Sequence, residues 1–282
     1  PSIQNIYLKW AVINTSTKAV QNVLNILSKT YQINNSPSKY KRQINFKKIE
    51  FCNVDFKYDK SQKFSLRDIN LSIEKGSIIG ICGKTGSGKS TLIDLFMGLL
   101  KPSKGSIKIN GKEINSNKNF DYLTKWQSSI SNVPQEIFLA DATIAQNIVQ
   151  GSNFNKINHA KLKSCIERSR LKDYIASLND GYETFVGERG IRLSGGQKQR
   201  IGIARALYKG SSVIVLDEAT SALDYETESE IMDSIYSLRG DITIIIIAHR
   251  LSTLRKCNNI INLENGKIKE IHTPQNSPEL FF

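Results

Sequence analysis

The sequence has few cysteines and no long apolar segment. Its four cysteines are far apart and form no CxxC pair, so nothing indicates a disulfide framework and a reducing, cytosolic setting is favoured. The isoleucine run from Ile244 to Ile247 is far shorter than the roughly 20 apolar residues that cross a bilayer. No segment resembles a signal peptide. The 282 residues are 39% apolar, which is enough for the buried core of a globular protein.

Acidic residues are fewer than basic ones. Lysine and arginine total 39 against 26 aspartates and glutamates, which gives a formal net charge of +13. Such an excess is compatible with nucleic acid, anionic lipid or a polyanionic small ligand as a partner. A solvated basic surface beside an anionic cytoplasmic leaflet is the interpretation we favour.

The composition changes near residue 43. A helical stretch through Leu27 is followed by a polar segment around Asn34 to Lys41 that is typical of a linker. The sequence starts with proline, which suggests that an upstream part has been removed. We therefore expect residues 1–43 to be the end of another domain plus a linker, and residues 44–282 to form the main domain.

Hydrophobic patterns divide the main domain into three parts. Short alternating runs up to about Ile114, with an Asn110–Gly111 hairpin signal, predict an antiparallel β subdomain. Residues from about 136 to 212 are polar and helix-like, which predicts a helical subdomain. Three later runs, apolar on both faces, predict strands of a mostly parallel sheet covered by helices: Val213–Leu216, Ile242–Ile247 and Ile260–Leu263. A second hairpin signal, Asn265–Gly266, follows these runs. The strands and helices together predict an α/β fold.

A phosphate-binding motif lies between a strand and a helix. SIIGIC, residues 77–82, predicts a buried strand, and STLIDLFMGLL, which Pro102 ends, predicts a helix. Between them the sequence fits G-x-x-x-x-G-K-[ST], whose backbone N–H groups surround phosphate oxygens. In this motif Lys89 reaches the β- and γ-phosphates and Ser90 binds Mg²⁺. The ATP-binding candidates are Gly83, Lys84, Thr85, Gly86, Ser87, Gly88, Lys89, Ser90 and Thr91. Cys82, just before them, fits a small core residue better than a redox switch.

Two acidic residues follow the buried run VIVL. Asp217 and Glu218 would lie at the carboxyl end of a strand, where α/β sheets place their ligands. Asp217 suits coordination of Mg²⁺, as in P-loop NTPases. Glu218 is then the candidate general base for the attacking water, because it lies beside the metal site without being needed as a ligand. The fold expected from both motifs is a RecA-like P-loop NTPase with the β and helical subdomains attached.

LSGGQKQR, residues 193–200, resembles the signature sequence of ABC ATPases. The resemblance extends over about residues 45–272 through further motifs in the family's order, namely Tyr58, Gln135, SALD (221–224) and AHRLST (248–253). It implies that the signature closes on the γ-phosphate of a second copy of the chain in a nucleotide-sandwich homodimer. The helix start at Ser194, Gly195, Gly196 and Gln197 would supply the N–H groups of this second anion site.

The same resemblance assigns roles to four other residues. It implies that Tyr58 stacks on adenine, although packing in the small sheet is a competing interpretation. Gln135 would contact Mg²⁺ and the attacking water. His249 would sense the γ-phosphate, and Asp224 would contact the partner and connect the two sites. The expected cofactors are ATP and Mg²⁺.

Two segments resemble those of ABC exporters. ETFVGERG, residues 183–190, is similar to the exporter loop that touches the helices of the membrane domain, although Phe185 replaces the usual polar residue. DATIAQNI, residues 141–148, is also exporter-like, with Gln146 where an acidic residue is common. The first residues resemble the end of the last membrane helix of a half-transporter, especially of the lipid-linked oligosaccharide flippase group, so residues 1–43 would be the end of the membrane domain and a linker. The partner would be the transmembrane domain of the same transporter, at the cytoplasmic face of the inner or plasma membrane.

These interpretations predict a cassette that hydrolyses ATP and powers transport of a lipid, lipid-linked sugar, peptide or drug. The alternative is a soluble ABC ATPase acting on nucleic acid or ribosomes, which would suit the charge of +13. Such proteins usually carry two cassettes or a long coiled coil, so we expect no nucleic-acid partner. A non-hydrolysing regulatory cassette is a second alternative, against which Glu218 and His249 argue.

Overall fold

The computed structural model describes residues 2–34, 43–58, 64–114, 120–150, 157–221, 223–248 and 250–274. The chain divides into two compact units, Pro1–Lys41 and Arg42–Phe282. The strands of the second unit are β1 Lys48–Phe56, β2 Leu66–Glu74, β3 Ile78–Gly83, β4 Lys104–Ile109, β5 Lys112–Glu113, β6 Ile130–Val133, β7 Val213–Asp217, β8 Thr243–Ile247, β9 Asn259–Glu264 and β10 Lys267–His272. The helices of the chain are α1 Ser2–Asn34, α2 Lys89–Phe96, α3 Phe120–Ser128, α4 Ile144–Ile148, α5 His159–Arg168, α6 Lys172–Ala176, α7 Gly195–Lys209 and α8 Tyr225–Tyr236.

The first unit is built on α1. This helix is 33 residues long and continues past Leu27 to Asn34, into the start of the predicted linker, of which residues 35–41 lie outside the described part of the chain. Apolar side chains such as Ile3 and Trp10 are exposed along it. Among the described residues no helix combines the length and the hydrophobicity that a membrane crossing requires.

The second unit contains two sheets. The antiparallel sheet has the strand order β2-β1-β4-β5, and Asn110 and Gly111 form the turn between β4 and β5 with φ of 51° and 77°. The six-stranded sheet has the order β10-β9-β3-β8-β7-β6. All its neighbouring strands are parallel except the hairpin of β9 and β10. The structure thus has both the antiparallel β subdomain and the parallel core that the sequence predicts.

Both faces of the parallel sheet are buried, which explains the continuous apolar runs. Along β8, Ile244 and Ile246 belong to one hydrophobic cluster, whereas Ile245 and Ile247 belong to the other. Successive side chains of a strand point to opposite faces, so a strand covered on both sides must be apolar throughout. The first cluster extends into α5, α7 and α8, and the second joins the antiparallel sheet to α2 and α3.

Helix α2 ends earlier than its apolar pattern indicates. It stops at Phe96, because Gly98 takes a left-handed conformation with φ 69° and Leu99 donates a hydrogen bond from its N–H to the Asp94 carbonyl at 2.8 Å. This is the geometry by which a C-terminal glycine closes a helix. Pro102, which the sequence suggested as the end, lies beyond a turn that has already closed the helix.

The carboxyl ends of the central strands meet at one edge of the parallel sheet. Strand β3 runs into the segment before α2, β7 ends at Asp217, and β6 leads towards Gln135. Because neighbouring parallel strands end at the same edge, the segments after them converge there. The predicted site residues of the core therefore start from a common edge.

Candidate active site

The loop between β3 and α2 has a backbone that only glycine tolerates at its first position. Gly83 has φ 148°, and a Cβ there would lie 2.3 Å from the Leu263 carbonyl oxygen. Gly86 and Gly88 also have positive φ, 79° and 105°. A curled loop of this kind turns successive N–H groups inward and leads into the N-terminus of α2, which together favour an anion.

Lys89 lies inside the curve of this loop. Its side chain is buried, and its ammonium Nζ donates to the carbonyl oxygens of Gly83 at 2.9 Å and Lys84 at 3.2 Å. A buried charge needs polar partners because of its desolvation cost. The loop carbonyls supply them, so the cation is held where a bound phosphate group would meet it.

Ser87 supplies an additional group that a phosphate could use. It is buried, and its Oγ has no hydrogen-bond partner among the described residues. We call the segment from Gly83 to Thr91 the phosphate-type loop. Buried hydroxyls normally have a hydrogen-bond partner, so one without a partner in this loop indicates a group that binds a ligand. The Ser87 carbonyl accepts a hydrogen bond from Gly266 N–H at 3.1 Å, which fixes the loop against the β9–β10 turn.

Asp217 and Glu218 reach the loop from β7. Burial raises the pKa of the Asp217 carboxyl, and the nearby charges of Glu218 and Asp94 raise it further, while Lys89 opposes them. Glu218 has a left-handed backbone, φ 51°, and its N–H donates to the Ile247 carbonyl at the end of β8 at 3.2 Å. Carboxylates that are close together repel each other, and a bound cation would reduce this repulsion. The arrangement therefore indicates a candidate cation site.

Glu218 lines a cleft of about 640 Å³ together with the phosphate-type loop. The lining includes Thr85, Gly86, Gly88, Lys89, Ser90 and Thr91, and also Phe64, Ser65, Asn265 and Gly266. A nucleotide-sized ligand fits this volume. The structure therefore brings the loop and the acidic strand end together, as the order of the two motifs predicts.

The residues suggested for Mg²⁺ offer oxygen ligands. Ser90 has a hydroxyl, Asp217 a carboxylate and Gln135 an amide oxygen. The described residues contain no group of three His, Cys, Asp or Glu side chains that could hold a metal. Mg²⁺ typically uses one or two carboxylates plus substrate phosphates and waters instead of a complete protein cage. The donor set therefore fits Mg²⁺ bound together with a nucleotide.

Tyr58 lies beside α2. Its ring packs edge-on against Phe56 with a centroid distance of 4.9 Å, and its hydroxyl is 3.3 Å from Thr91 Oγ1. It remains 45% exposed. The packing interpretation and the adenine-stacking interpretation are thus compatible, because one part of the ring packs on the sheet and another is open.

The signature segment forms a second glycine-rich helix start. Ser194 is the N-cap of α7: its Oγ accepts from Gln197 N–H at 3.3 Å, and Gln197 Oε1 accepts from Ser194 N–H at 2.8 Å. Ser194 and Gly195 are exposed, whereas Gly196 is buried against Thr227. None of these residues lines the cleft described above. This helix start is thus exposed and takes no part in lining the cleft of its own chain.

Two more predicted residues lie at element ends. Asp224 is the N-cap of α8, and Thr227 N–H donates to its Oδ1 at 2.9 Å, which holds the pKa of this carboxyl below its usual range. Gln135 is exposed after β6. His249 lies outside the described residues.

The roles of two features near the site were not predicted from the sequence. Gln199 of α7 donates from Nε2 to the Gln135 carbonyl at 2.5 Å, which ties the signature helix to the Gln135 segment. The Asn265–Gly266 turn, predicted only as a hairpin, lines the cleft and contacts the phosphate-type loop. The hairpin signal was visible, but its position against the loop depends on the tertiary fold.

The family model described as "ABC transporter" matches residues 66–221, more than half of the chain. The chain belongs to the ABC transporter family. It is 43% identical over 235 residues to "ABC transporter B family member 18" of Arabidopsis thaliana, covering 83% of this chain and 18% of the relative. It is 44% identical to "Alpha-hemolysin translocation ATP-binding protein HlyB" of Escherichia coli O157:H7 over 225 residues, 79% of this chain and 31% of the relative.

A solved structure extends the ABC transporter similarity to the fold. "Structure of a bacterial Atm1-family ABC exporter with ATP bound" matches with a TM-score of 0.74 and 32% identity, covering 92% of this chain and 45% of that one. The chain thus spans less than half the length of these relatives. It is an ATP-binding ATPase domain of the exporter type, which confirms the predicted family, fold class and enzyme class.

Proposed function

We propose that two copies of this ABC ATPase domain hydrolyse ATP at shared interfaces and thereby drive export across a membrane. The observation that carries the proposal is the pair of helix starts. The one at Lys89 is combined with a cation, acidic groups and a cleft, whereas the one at Ser194 is exposed and lies outside the lining of that cleft. A head-to-tail pair would bring one of each type to every nucleotide.

In the proposed site the phosphates of ATP lie in the loop from Gly83 to Thr91. Backbone N–H groups and the Ser87 hydroxyl donate to phosphate oxygens, and Lys89 exchanges the Gly83 and Lys84 carbonyls for the β- and γ-phosphates. Adenine stacks on the exposed part of Tyr58. This arrangement uses the Lys89 ammonium and the Ser87 hydroxyl in the places where the loop holds them.

Hydrolysis requires a base and charge neutralisation. Glu218 accepts a proton from the water that attacks the γ-phosphate, with its backbone fixed at the ends of β7 and β8. Ser90, Asp217 and Gln135 would hold Mg²⁺, which neutralises charge on the phosphate oxygens when bound. His249 is proposed as the γ-phosphate sensor on the basis of the AHRLST resemblance alone.

The partner copy completes the site in this proposal. Ser194, Gly195, Gly196 and Gln197 present the N-terminus of α7, whose first N–H groups lack helical partners and favour the γ-phosphate. Asp224, one residue before α8, would contact the partner. A homodimer is proposed because the same chain carries both helix starts.

Export requires contact with a transmembrane domain. The helical subdomain exposes three large apolar side chains, Phe138, Phe185 and Ile191, at 66%, 56% and 81%. Exposed apolar groups of this kind favour a protein contact, and Phe185 belongs to the segment that resembles the exporter loop. We propose that this surface meets the membrane domain at the cytoplasmic face. The similarity to lipid-linked oligosaccharide flippases stays a prediction.

The direct test is Glu218→Gln. We expect this variant to bind ATP with near wild-type affinity while phosphate release falls by at least about 100-fold, because general bases typically contribute 10²–10⁴. Binding is measured by fluorescence titration and turnover by phosphate release at high protein concentration. Glu226→Gln, an exposed change of the same chemistry on α8, is the matched control. Near wild-type release from Glu218→Gln would disprove the assigned base.

A further inference from the structure

Glu228 on α8 is a buried carboxylate outside the proposed ATP contacts. Lys89 and Glu228 are the two charged residues among the buried residues of the described chain. The position of Lys89 is explained by phosphate binding. Glu228 lies one turn into α8 with a side chain that is 7% exposed, so its burial needs a different explanation.

Three donors from two other segments saturate this carboxylate. Its Oε1 accepts hydrogen bonds from Thr220 Oγ1 at 2.9 Å and Thr253 Oγ1 at 2.8 Å, and both threonines are buried. Its Oε2 accepts from the Arg250 guanidinium at 2.8 Å. Arg250 is half exposed, so the charge of the pair is only partly removed from water.

Each of the connected segments follows a residue of the proposed site. Thr220 is two residues after Glu218, and Arg250 directly follows His249 in the sequence. Glu228 itself is four residues after Asp224, the N-cap of its helix. A single carboxylate therefore joins the segments that follow the candidate base, the candidate sensor and the candidate dimer contact.

Stability alone is a weak reason for this arrangement. Burying an ion pair costs desolvation free energy that its attraction often fails to recover, and apolar side chains of similar volume are frequently as stable. Positioning is a stronger reason, since Glu218 has a left-handed backbone and needs its neighbours fixed. Misplacing a catalytic group by about 1 Å can lower a rate by about 100-fold.

We propose that Glu228 is a positioning residue for ATP hydrolysis. Its carboxylate holds the turn after Glu218 against the segment from Arg250 to Thr253, so that the base keeps its place relative to the γ-phosphate. The inference rests on the proposed role of Glu218 as general base. Glu228 itself touches neither the nucleotide nor the attacking water in this proposal.

The test compares Glu228→Gln with Glu226→Gln in the 282-residue chain. Both changes remove one negative charge from α8, but Glu226 is exposed. We expect Glu228→Gln to lower kcat by about tenfold or more through misplacement of the base. Its KM for ATP should change by less than about twofold, because ground-state binding is retained. Glu226→Gln should keep both constants.

Thr253→Val is the second variant, in case Glu228→Gln fails to fold. It removes one hydroxyl donor and keeps the Arg250 pair, so kcat should fall by about threefold with the melting temperature nearly unchanged. Combining Glu228→Gln with Arg250→Gln should cost less in kcat than the product of the single losses, because both act through one interaction. Multiplying losses, or a KM that rises as much as kcat falls, would contradict the proposal.

Glu218→Gln and the wild type are measured alongside these variants. If the wild type hydrolyses ATP, Glu218→Gln does not, and both Glu228→Gln and Thr253→Val turn over within about twofold of wild type, the positioning role is wrong and the proposed function stands. If Glu218→Gln hydrolyses ATP normally, the assigned base is wrong and the reason for the Glu228 contacts is lost with it.

Discussion

The helix starts at Lys89 and at Ser194 are both glycine-rich, but the side chains around the two N-termini differ. The first has a buried lysine on two loop carbonyls, a buried Ser87 hydroxyl without a partner among the described residues, and the acidic residues Asp217 and Glu218 nearby. The second is closed by a reciprocal capping box between Ser194 and Gln197 and is exposed. The first start thus combines the groups of a phosphate site within one chain, whereas the second is capped by its own residues and exposed.

This difference predicts that the Lys89 start serves nucleotide binding, whereas the Ser194 start serves pairing with a second copy. At the Lys89 start, burial and the charges of Glu218 and Asp94 disfavour the ionised form of Asp217, and a cation bound with a nucleotide would offset this effect. The Ser194 start has its cap satisfied and offers mainly oriented N–H groups. Damage to the first should therefore weaken nucleotide binding, whereas damage to the second should spare binding and prevent the closed pair.

The largest effect is expected from paired variants. Lys89→Ala should lower ATP affinity by about 100-fold, since a charge-assisted contact to phosphate is lost. Ser194→Arg should keep ATP affinity but abolish turnover, because a bulky cation blocks the partner's γ-phosphate. Lys163→Ala, an exposed change on α5, should affect neither. Fluorescence titration and phosphate release measure the two quantities.

Mixing the two variants sharpens the comparison. A pair of one Lys89→Ala copy and one Ser194→Arg copy has one site with both helix starts intact and one site with both changed. When equal amounts are mixed, about half of the pairs contain one copy of each variant. Because each of these pairs has one intact site out of two, about a quarter of wild-type turnover should return. Either variant alone should stay inactive. Failure of the mixture to recover activity, with pairing verified by size-exclusion chromatography in ATP, would contradict the head-to-tail arrangement.

A stability contrast is expected for the glycines. A Cβ at Gly83 would lie 2.3 Å from a backbone carbonyl, whereas one at Gly196 would lie 2.6 Å from a Thr227 methyl group. The backbone cannot withdraw, so Gly83→Ala should destabilise by about 3 kcal/mol or more, and Gly196→Ala by about 1–3 kcal/mol. Urea unfolding measures both. Equal losses would show that the two loops are equally rigid.

Asp217 and Asp224, one from each region, should contribute to stability with opposite sign at neutral pH. Burial raises the folded-state pKa of Asp217, so its ionisation costs stability as pH rises, and this cost is fully present only above the folded pKa. Asp217→Asn should raise the nucleotide-free Tm by about 2–4 °C at neutral pH, and the gain should shrink on acidification through the folded pKa. Calorimetry in about one-unit pH steps checks this.

Asp224 is the counterpart near the Ser194 start. The Thr227 N–H lowers its folded-state pKa, so its stabilising contribution is present above the unfolded pKa and is lost as pH falls through the folded pKa. Asp224→Ala should therefore lower Tm at neutral pH and approach wild type in acid. Shifts of the same sign for both variants would contradict the contrast.

The smallest effect concerns Tyr58. Tyr58→Leu removes a stacking face and should weaken ATP binding by about threefold to tenfold. Tyr58→Phe loses only the contact with Thr91 Oγ1 and should bind within about twofold of wild type. Titration with ATP measures both. An effect of Tyr58→Leu on folding but not on affinity would favour the sheet-packing interpretation.

Local patterns predicted much of this chain because the residues concerned have few alternatives. A G-x-x-x-x-G-K-S segment between an apolar strand and a helix requires a curled loop, and strands without polar positions require a sheet covered on both faces. The phosphate-type loop, both Asn–Gly turns and the parallel core follow from such patterns. The end of α2 did not, because Gly98 outweighed an apolar pattern that continued to Leu100.

The sequence by itself determined the family, the two helix starts and the candidate base. The tertiary structure alone decided that the Asn265–Gly266 turn supports the phosphate-type loop, that Gln199 holds the Gln135 segment and that Glu228 joins three segments. Most of these contacts connect residues far apart in the chain: Gln199 is 64 positions from Gln135, and Glu228 is 25 positions from Thr253 and 22 from Arg250, although it is only 8 from Thr220. Local sequence propensity does not predict these partners, because buried polar groups from distant segments meet only after the sheets have packed.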